Sequence, residues 1–155
     1  MKNYKINEDT LAIVPISKDK TKVYEKENVI IVSEGSMKLI EDNCAYYGNS
    51  YEGRKIRTQQ MIGITHKPPI VIEESHSIVF FPTSSPRLKD CCWISLNNID
   101  NSKSCGNFSI IEFNNESKLR VNVSSHIINS QVLKAARLES VSRRRNKESE
   151  KMQKN

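Results

Sequence analysis

The sequence predicts an α+β domain: an antiparallel, β-rich body with a short internal helix and a longer C-terminal helix. Three observations carry that expectation. β-branched runs separated by polar turns fill the first third, an apolar pattern of helical period occupies 36–46, and a stronger one begins after Val123.

Leu11-Ala-Ile-Val-Pro-Ile16, Thr21-Lys-Val-Tyr24 and Val29-Ile-Ile-Val32 are the N-terminal strands, with Lys18-Asp-Lys-Thr21 as a turn. Pro15 has no N–H for a central ladder, which points to an edge or a bulge at that position. Ser36 as N-cap opens a helix over 36–46 through Met37, Leu39, Ile40 and Cys44, and Gly48 closes it. Gly48-Asn-Ser-Tyr-Glu-Gly53 then reads as a loop with glycines at both ends. The basic run Arg54-Lys-Ile-Arg57 follows, and residues 58–66 are expected to form a strand.

Pro68 and Pro69 exclude regular structure where they stand. Short strands follow over 70–72, 77–81 and 92–96, with Pro82-Thr-Ser-Ser-Pro86 as a polar loop. Asn114-Asn-Glu-Ser117 marks a hairpin between 108–113 and 118–123. The C-terminal helix is expected over about 126–142, capped by Ser124 or Ser125. Its apolar positions are Ile127, Ile128, Val132, Leu133, Ala135, Ala136 and Leu138. Residues 1–142 therefore read as one domain and 143–155 as a basic, disordered tail.

Several function classes are excluded early. No N-terminal leader is visible, and no stretch approaches the roughly 20 apolar residues that span a bilayer, so a cytoplasmic, nucleoid-associated protein without membrane attachment is expected. The four cysteines, Cys44, Cys91, Cys92 and Cys105, match no zinc spacing, and free thiols are expected rather than disulfides or a metal site. Pairing Cys44 with His66, or Cys92 with His76, would give a thiol and a base, but nothing in the spacing enforces either pair. No enzyme, no catalytic residue and no cofactor are expected.

Charge is unevenly placed. Residues 1–43 hold seven Lys/Arg against eight Asp/Glu, whereas residues 104–155 hold ten against five. A positive excess growing toward the C-terminus suits a polyanionic partner.

Three blocks carry a resemblance. Cys44-Ala-Tyr-Tyr-Gly-Asn-Ser-Tyr-Glu-Gly-Arg-Lys55 is one. His66-Lys-Pro-Pro-Ile70, continuing to Phe80-Phe-Pro-Thr-Ser84 and Cys92-Trp-Ile-Ser95, is another. Ser124 with Gln131-Val132, Ala136 and Leu138 is the third. In this order and at these separations, across most of 29–142, they resemble the competence transcription factor family (ComK). The first block is similar to that family's Cys-x-aromatic-aromatic-Gly-x-Ser-Tyr-x-Gly-Arg-Lys stretch.

The resemblance implies a transcription activator of competence (DNA-uptake) genes. It would bind AT-rich promoter boxes of double-stranded DNA, largely through the minor groove, as a homo-oligomer, with RNA polymerase as a further partner. Members of that family continue for several dozen residues beyond the helix, into a tail linked to regulated proteolysis and activation. The chain ends at Asn155, so recognition by a proteolytic adaptor is not expected, and a divergent paralogue that binds DNA without activating is an alternative. A protein-interaction module without nucleic-acid contact is another.

Minor-groove width and potential are read by Arg and Lys. The candidate contacts are Arg54, Lys55 and Arg57, His66 and Lys67 before the rigid Pro-Pro, Lys134 and Arg137 on the C-terminal helix, and Arg143, Arg144 and Arg145 in the tail. Each has a plainer reading. Arg54-Lys-Ile-Arg57 also fits a solvated strand face with Ile56 turned inward, and His66-Lys-Pro-Pro69 a rigid turn whose histidine bonds the backbone. The three arginines also suit a helix end whose dipole favours cations. Tyr46, Tyr47 and Tyr51 fit either a nucleic-acid surface or partial packing, and Trp93 fits the core. Ile127, Val132 and Leu138 fit either an oligomer seam or packing on the sheet.

Overall fold

The structure is a computed structural model that describes residues 3–154. Its centre is a six-stranded antiparallel sheet built from β1 (Thr10–Ser17), β2 (Lys20–Glu25), β3 (Val29–Val32), β4 (Ile70–Glu73), β5 (Ile78–Pro82) and β6 (Trp93–Ser95). The spatial order is β3-β2-β1-β6-β5-β4. A second sheet is the meander β7 (Ile99–Cys105), β8 (Phe108–Phe113), β9 (Lys118–Val121). Helices α1 (Ser36–Tyr46) and α2 (Tyr51–Ile62) connect β3 to β4, and α3 (Ser125–Lys154) ends the chain.

β4, β5, β6 and the first half of β1 are buried on both faces, which is why they read as apolar runs, whereas β2 alternates and β3 is partly exposed. Successive residues serve opposite sides. Ile70, Ile72, Phe80 and Trp93 pack with Leu39, Ile40 and Cys44 of α1. Val71, Phe81 and Ile94 pack with Ile111 and Phe113 of β8 and with Ile128, Ala135 and Leu138 of α3. The two phenylalanines Phe80 and Phe81 are both fully buried, each worth about 1.5–3 kcal/mol of transfer free energy. Trp93 is in the core, as expected.

Pro15 fulfils its reading. β1 pairs with β6 only through Ala12 and Ile13, so Pro15 lies beyond that ladder. The β1–β2 register also shifts between Pro15 and Ser17. The shift between Thr10 and Ala12 places neighbours Leu11 and Ala12 on one face.

Several expectations are corrected. The predicted loop holds over 48–50, but α2 replaces its second half from Tyr51 and the predicted strand as far as Ile62, with 63–66 irregular. Ser50 caps that helix by accepting from the Gly53 N–H at 3.0 Å. Gly63 ends it in the left-handed region at φ +74°, a geometry that glycine adopts without a Cβ penalty. Ser36 is the first helical residue of α1 rather than its cap. Gly35 holds the cap position without a side-chain bond, and the Ser36 hydroxyl turns to Thr21 at 3.0 Å.

β7 was not foreseen at all, and β9 stops at Val121. Finally, α3 runs to Lys154, where the tail was expected to lose order. Its last turns are rich in Arg, Lys, Glu, Met and Gln, which have high helix propensity, and they continue a helix already nucleated on the core. Ser124 is the cap, accepting from the Ile127 N–H at 3.3 Å. Ile128 and Leu138 are buried and Val132 is half-buried against the sheet, so this face of α3 is packing surface.

Candidate nucleic-acid interface

The loop between α2 and β4 is held at three points. Its first residue, Gly63, donates its N–H to Gln59 at 2.9 Å as the α2 C-cap. At its far end the buried Pro69 offers its carbonyl to the Thr58 hydroxyl at 2.7 Å. Between them, Lys67 adopts φ +46°, a conformation rare for a residue with a Cβ. Its carbonyl accepts from the Gln131 amide of α3 at 3.0 Å, and the same amide donates to Pro82 at 2.8 Å. Gln131 is itself 1% exposed.

This arrangement brings Lys67 up to α3. Lys134, one turn beyond Gln131, has its pKa lowered by burial and then by the nearby positive charge of Lys67. Neither ammonium has an acidic partner among the described residues, where the ion pairs involve other cations. Two uncompensated cations close together form an electropositive point, the kind of feature that a phosphate neutralises.

At 100° per residue, Lys134, Arg137, Arg144 and Arg145 fall within a sector of about 100° on one flank of α3. Arg137, Arg144 and Arg145 are exposed and carry no ion pair among the described residues. Arg143 belongs to the opposite flank. Its Nε donates to Ser77 at 3.2 Å, and its guanidinium lies 3.7 Å from Glu139. His66 is exposed beside Lys67 and makes no hydrogen bond among the described residues, so the reading of it as a backbone-bonded turn histidine is not met.

The basic run 54–57 is placed otherwise. Arg54 is 5% exposed, and its guanidinium donates to the Tyr47 carbonyl at 3.0 Å and to that of Cys44 at 3.4 Å. It closes the C-terminal end of α1 and faces inward, which corrects the expectation of a phosphate contact. Lys55 pairs with Glu52 at 2.8 Å and sits over the Tyr51 ring at 5.0 Å. Arg57 pairs with Glu74 at 3.3 Å. Ile56, read as inward on a strand, is instead exposed on α2.

The tyrosines divide. Tyr47 donates to the Ile6 carbonyl at 2.7 Å, and Tyr51 packs edge-on against Trp93 with ring centroids 6.0 Å apart. Tyr46 is exposed under Lys5, whose Nζ is 4.2 Å from the ring centroid.

The buried thiols of Cys44 and Cys92 are ill-suited to nucleophilic chemistry. Burial pushes Cys44 up to about 11, with Arg54 pulling weakly the other way, and burial pushes Cys92 up to about 12. His76, once considered as a base for Cys92, is bound instead to Glu73, Nδ1 to Oε2 at 2.6 Å. Among the described residues no cluster of His, Cys, Asp and Glu could hold a metal ion, and no helix is long and apolar enough to cross a membrane.

Sequence comparisons converge on one family. A competence transcription factor of Bacillus subtilis (strain 168) is 30% identical over 140 residues, covering 88% of this chain and 73% of that protein. No solved structure matches the chain. The family pattern described as ComK protein spans residues 1–147, from the N-terminal segment through both sheets and into α3 beyond the basic cluster. The chain belongs to the ComK family.

Proposed function

We propose that this protein is a DNA-binding transcription regulator of competence genes. Its contact surface would be the Lys67–Lys134 pair with Arg137, Arg144 and Arg145. The observation that carries the reading is the pair itself: two lysines brought together at a loop–helix junction tied by Gln131, neither with an ion-pair partner among the described residues. A solvated surface keeps like charges apart or intersperses acids. Burial, and after it the neighbouring charge of Lys67, lowers the affinity of Lys134 for its proton, and a bound phosphate offsets the charge repulsion. Family membership and the relative's description as a competence transcription factor support the same reading.

The target would be AT-rich duplex, read through the narrow minor groove by the arginines of α3, and the binding unit a homo-oligomer. A mobility-shift titration at two salt concentrations tests this, with one duplex carrying two A/T tracts and one GC-rich control. Preferential, salt-sensitive binding to the AT-rich duplex is expected. Lys67→Asn and Lys134→Ala should each flatten the slope of log affinity against log salt by about 1. Equal, weak, mutation-insensitive binding to both duplexes would favour a protein-interaction module instead.

A further inference from the structure

We propose that Gln131 is a positioning residue of the DNA-contact surface: through its two backbone hydrogen bonds it fixes Lys67 beside Lys134, so that the two ammonium groups are presented to one stretch of phosphate backbone. The inference rests on the reading of this surface as a DNA contact and adds a residue that touches no DNA.

The geometry assigns Gln131 more than a packing role. A side chain that only filled space between α3 and the sheet would be apolar, like its neighbours Ile128, Ala135 and Leu138 on the same buried face. Gln131 instead spends both donor directions of one amide on two separate chain segments. Pro82 ends β5 on the rigid sheet, and Lys67 lies in the loop between α2 and β4. The amide therefore ties the loop to the sheet through the helix that carries Lys134.

The tie is made at the very residue whose backbone is unfavourable. Lys67 sits at φ +46° with an ordinary Cβ, and such a conformation persists only where its surroundings over-determine it. Released from Gln131, Lys67 has every local reason to relax to negative φ, which would swing its side chain off the α3 flank. The proton affinity of Lys134 is lowered first by burial and then by the charge of Lys67, and the second contribution agrees with the two being held near each other.

A double-mutant cycle tests the proposal on the full chain. Gln131→Met keeps the side-chain length and removes both hydrogen bonds. Lys67→Asn removes the charge while retaining a residue that tolerates positive φ. Gln131→Met alone should weaken binding to the AT-rich duplex roughly three- to tenfold, the size expected when one side chain loses its pre-organisation. In the Lys67→Asn background it should cost nothing further. An equal loss in both backgrounds would mean a general structural effect and would overturn the proposal, as would no loss in either.

Should Gln131→Met not fold, titration of the Lys134 ammonium by NMR decides. In Lys67→Asn its pKa should rise by the smaller part of the shift that Lys67 causes, burial keeping the rest, and an unchanged titration would mean that no close pair exists to be held. Failure of the underlying reading looks different. Lys67→Asn and Lys134→Ala would then both leave DNA binding untouched, whereas a failed positioning role leaves those two effects in place and removes only that of Gln131.

Discussion

The guanidinium of Arg54 donates to the carbonyl of Tyr47 at 3.0 Å, so the first turn of α2 closes the last turn of α1. Helix C-termini leave carbonyls without intrahelical donors, and a buried one needs a partner from elsewhere. Here that partner is a cation, which also suits the negative end of the α1 dipole. The aliphatic stem of Arg54 fills the space between the helices, and Thr58 and Met61 continue the same buried stripe.

Replacing Arg54, Lys55 and Arg57 together by Ala would, from sequence, test a DNA-binding loop with the fold intact. The structure separates them. Arg54→Ala should lower unfolding free energy by roughly 2–4 kcal/mol, since it strips charge-assisted hydrogen bonds from buried carbonyls and removes the packed stem. Urea denaturation reads this directly, and a change below about 0.5 kcal/mol would refute the capping role.

Lys55→Ala and Arg57→Ala should stay within about 0.5 kcal/mol of wild type, because exposed ion pairs contribute little. Their charges are already offset by Glu52 and Glu74. Each should also flatten the salt dependence of DNA binding less than Lys134→Ala does. A larger effect from Arg57→Ala would move the contact surface to α2.

The four free thiols should separate by reactivity. Cys105 is exposed at the end of β7, whereas Cys44, Cys91 and Cys92 are buried, with burial raising the pKa of all three. A thiol-reactive disulfide reagent at pH 8 should label Cys105 promptly and the others only after denaturant. Labelling at Cys105 should leave DNA binding unchanged. Prompt reaction of Cys92 in the folded protein would contradict the burial of β6.

His76 bridges the β4–β5 turn to Glu73 and, through Nε2, to Glu8 at 3.5 Å. Its pKa is raised by the hydrogen bond that its ring donates to the Glu73 carboxylate, then by the charges of Glu73 and Glu8. A raised folded pKa means that the bridge stabilises fully below about pH 6.5, the unfolded value, and fades as pH rises through the folded one. At the acid end it is lost as pH falls through the lowered pKa of Glu73. The melting-temperature difference between wild type and His76→Gln should therefore be greatest in mild acid and vanish in mild alkali. A difference growing toward alkaline pH would reverse the assignment.

The course of the strands was legible because β4, β5, β6 and the first half of β1 are buried on both faces and leave apolar runs, while β2 and β3 are short β-branched segments set off by polar turns. α1 and the first half of α3 were legible for a related reason, their buried stripes being mostly apolar, with Asn43 and Gln131 the polar exceptions. α2 was not, because its stripe is Arg54, Thr58 and Met61: two of the three buried positions are polar and satisfied by partners remote in the chain. Ser50, Glu52 in the first turn and Gly63 were the available signals, and the glycines at 48 and 53 outweighed them.

β7 escaped because, of its seven residues, Ile99 and Ser102 alone are even half-buried. Its ladder with β8 forms it, and backbone hydrogen bonds leave no mark in the side chains. Lys67 and Lys134 were both read as contacts, but their proximity was hidden, since the bond that joins them runs through a glutamine 64 residues away from Lys67.

The three consecutive arginines give the sharpest division. Arg143 is turned to the flank where Ser77 and Glu139 hold it, while Arg144 and Arg145 lie in the sector of Lys134 and Arg137. Under the DNA-contact reading, Arg144→Ala should weaken duplex binding and flatten its salt slope by about 1. Arg143→Ala should leave affinity within about twofold and cost no more than roughly 0.5 kcal/mol of stability, as for other exposed pairs. Side-by-side salt titrations of the two single variants separate a surface fixed by helix geometry from a diffuse basic tail. A diffuse tail would lose equally from either substitution, and that equality would remove the face-specific contact from the mechanism.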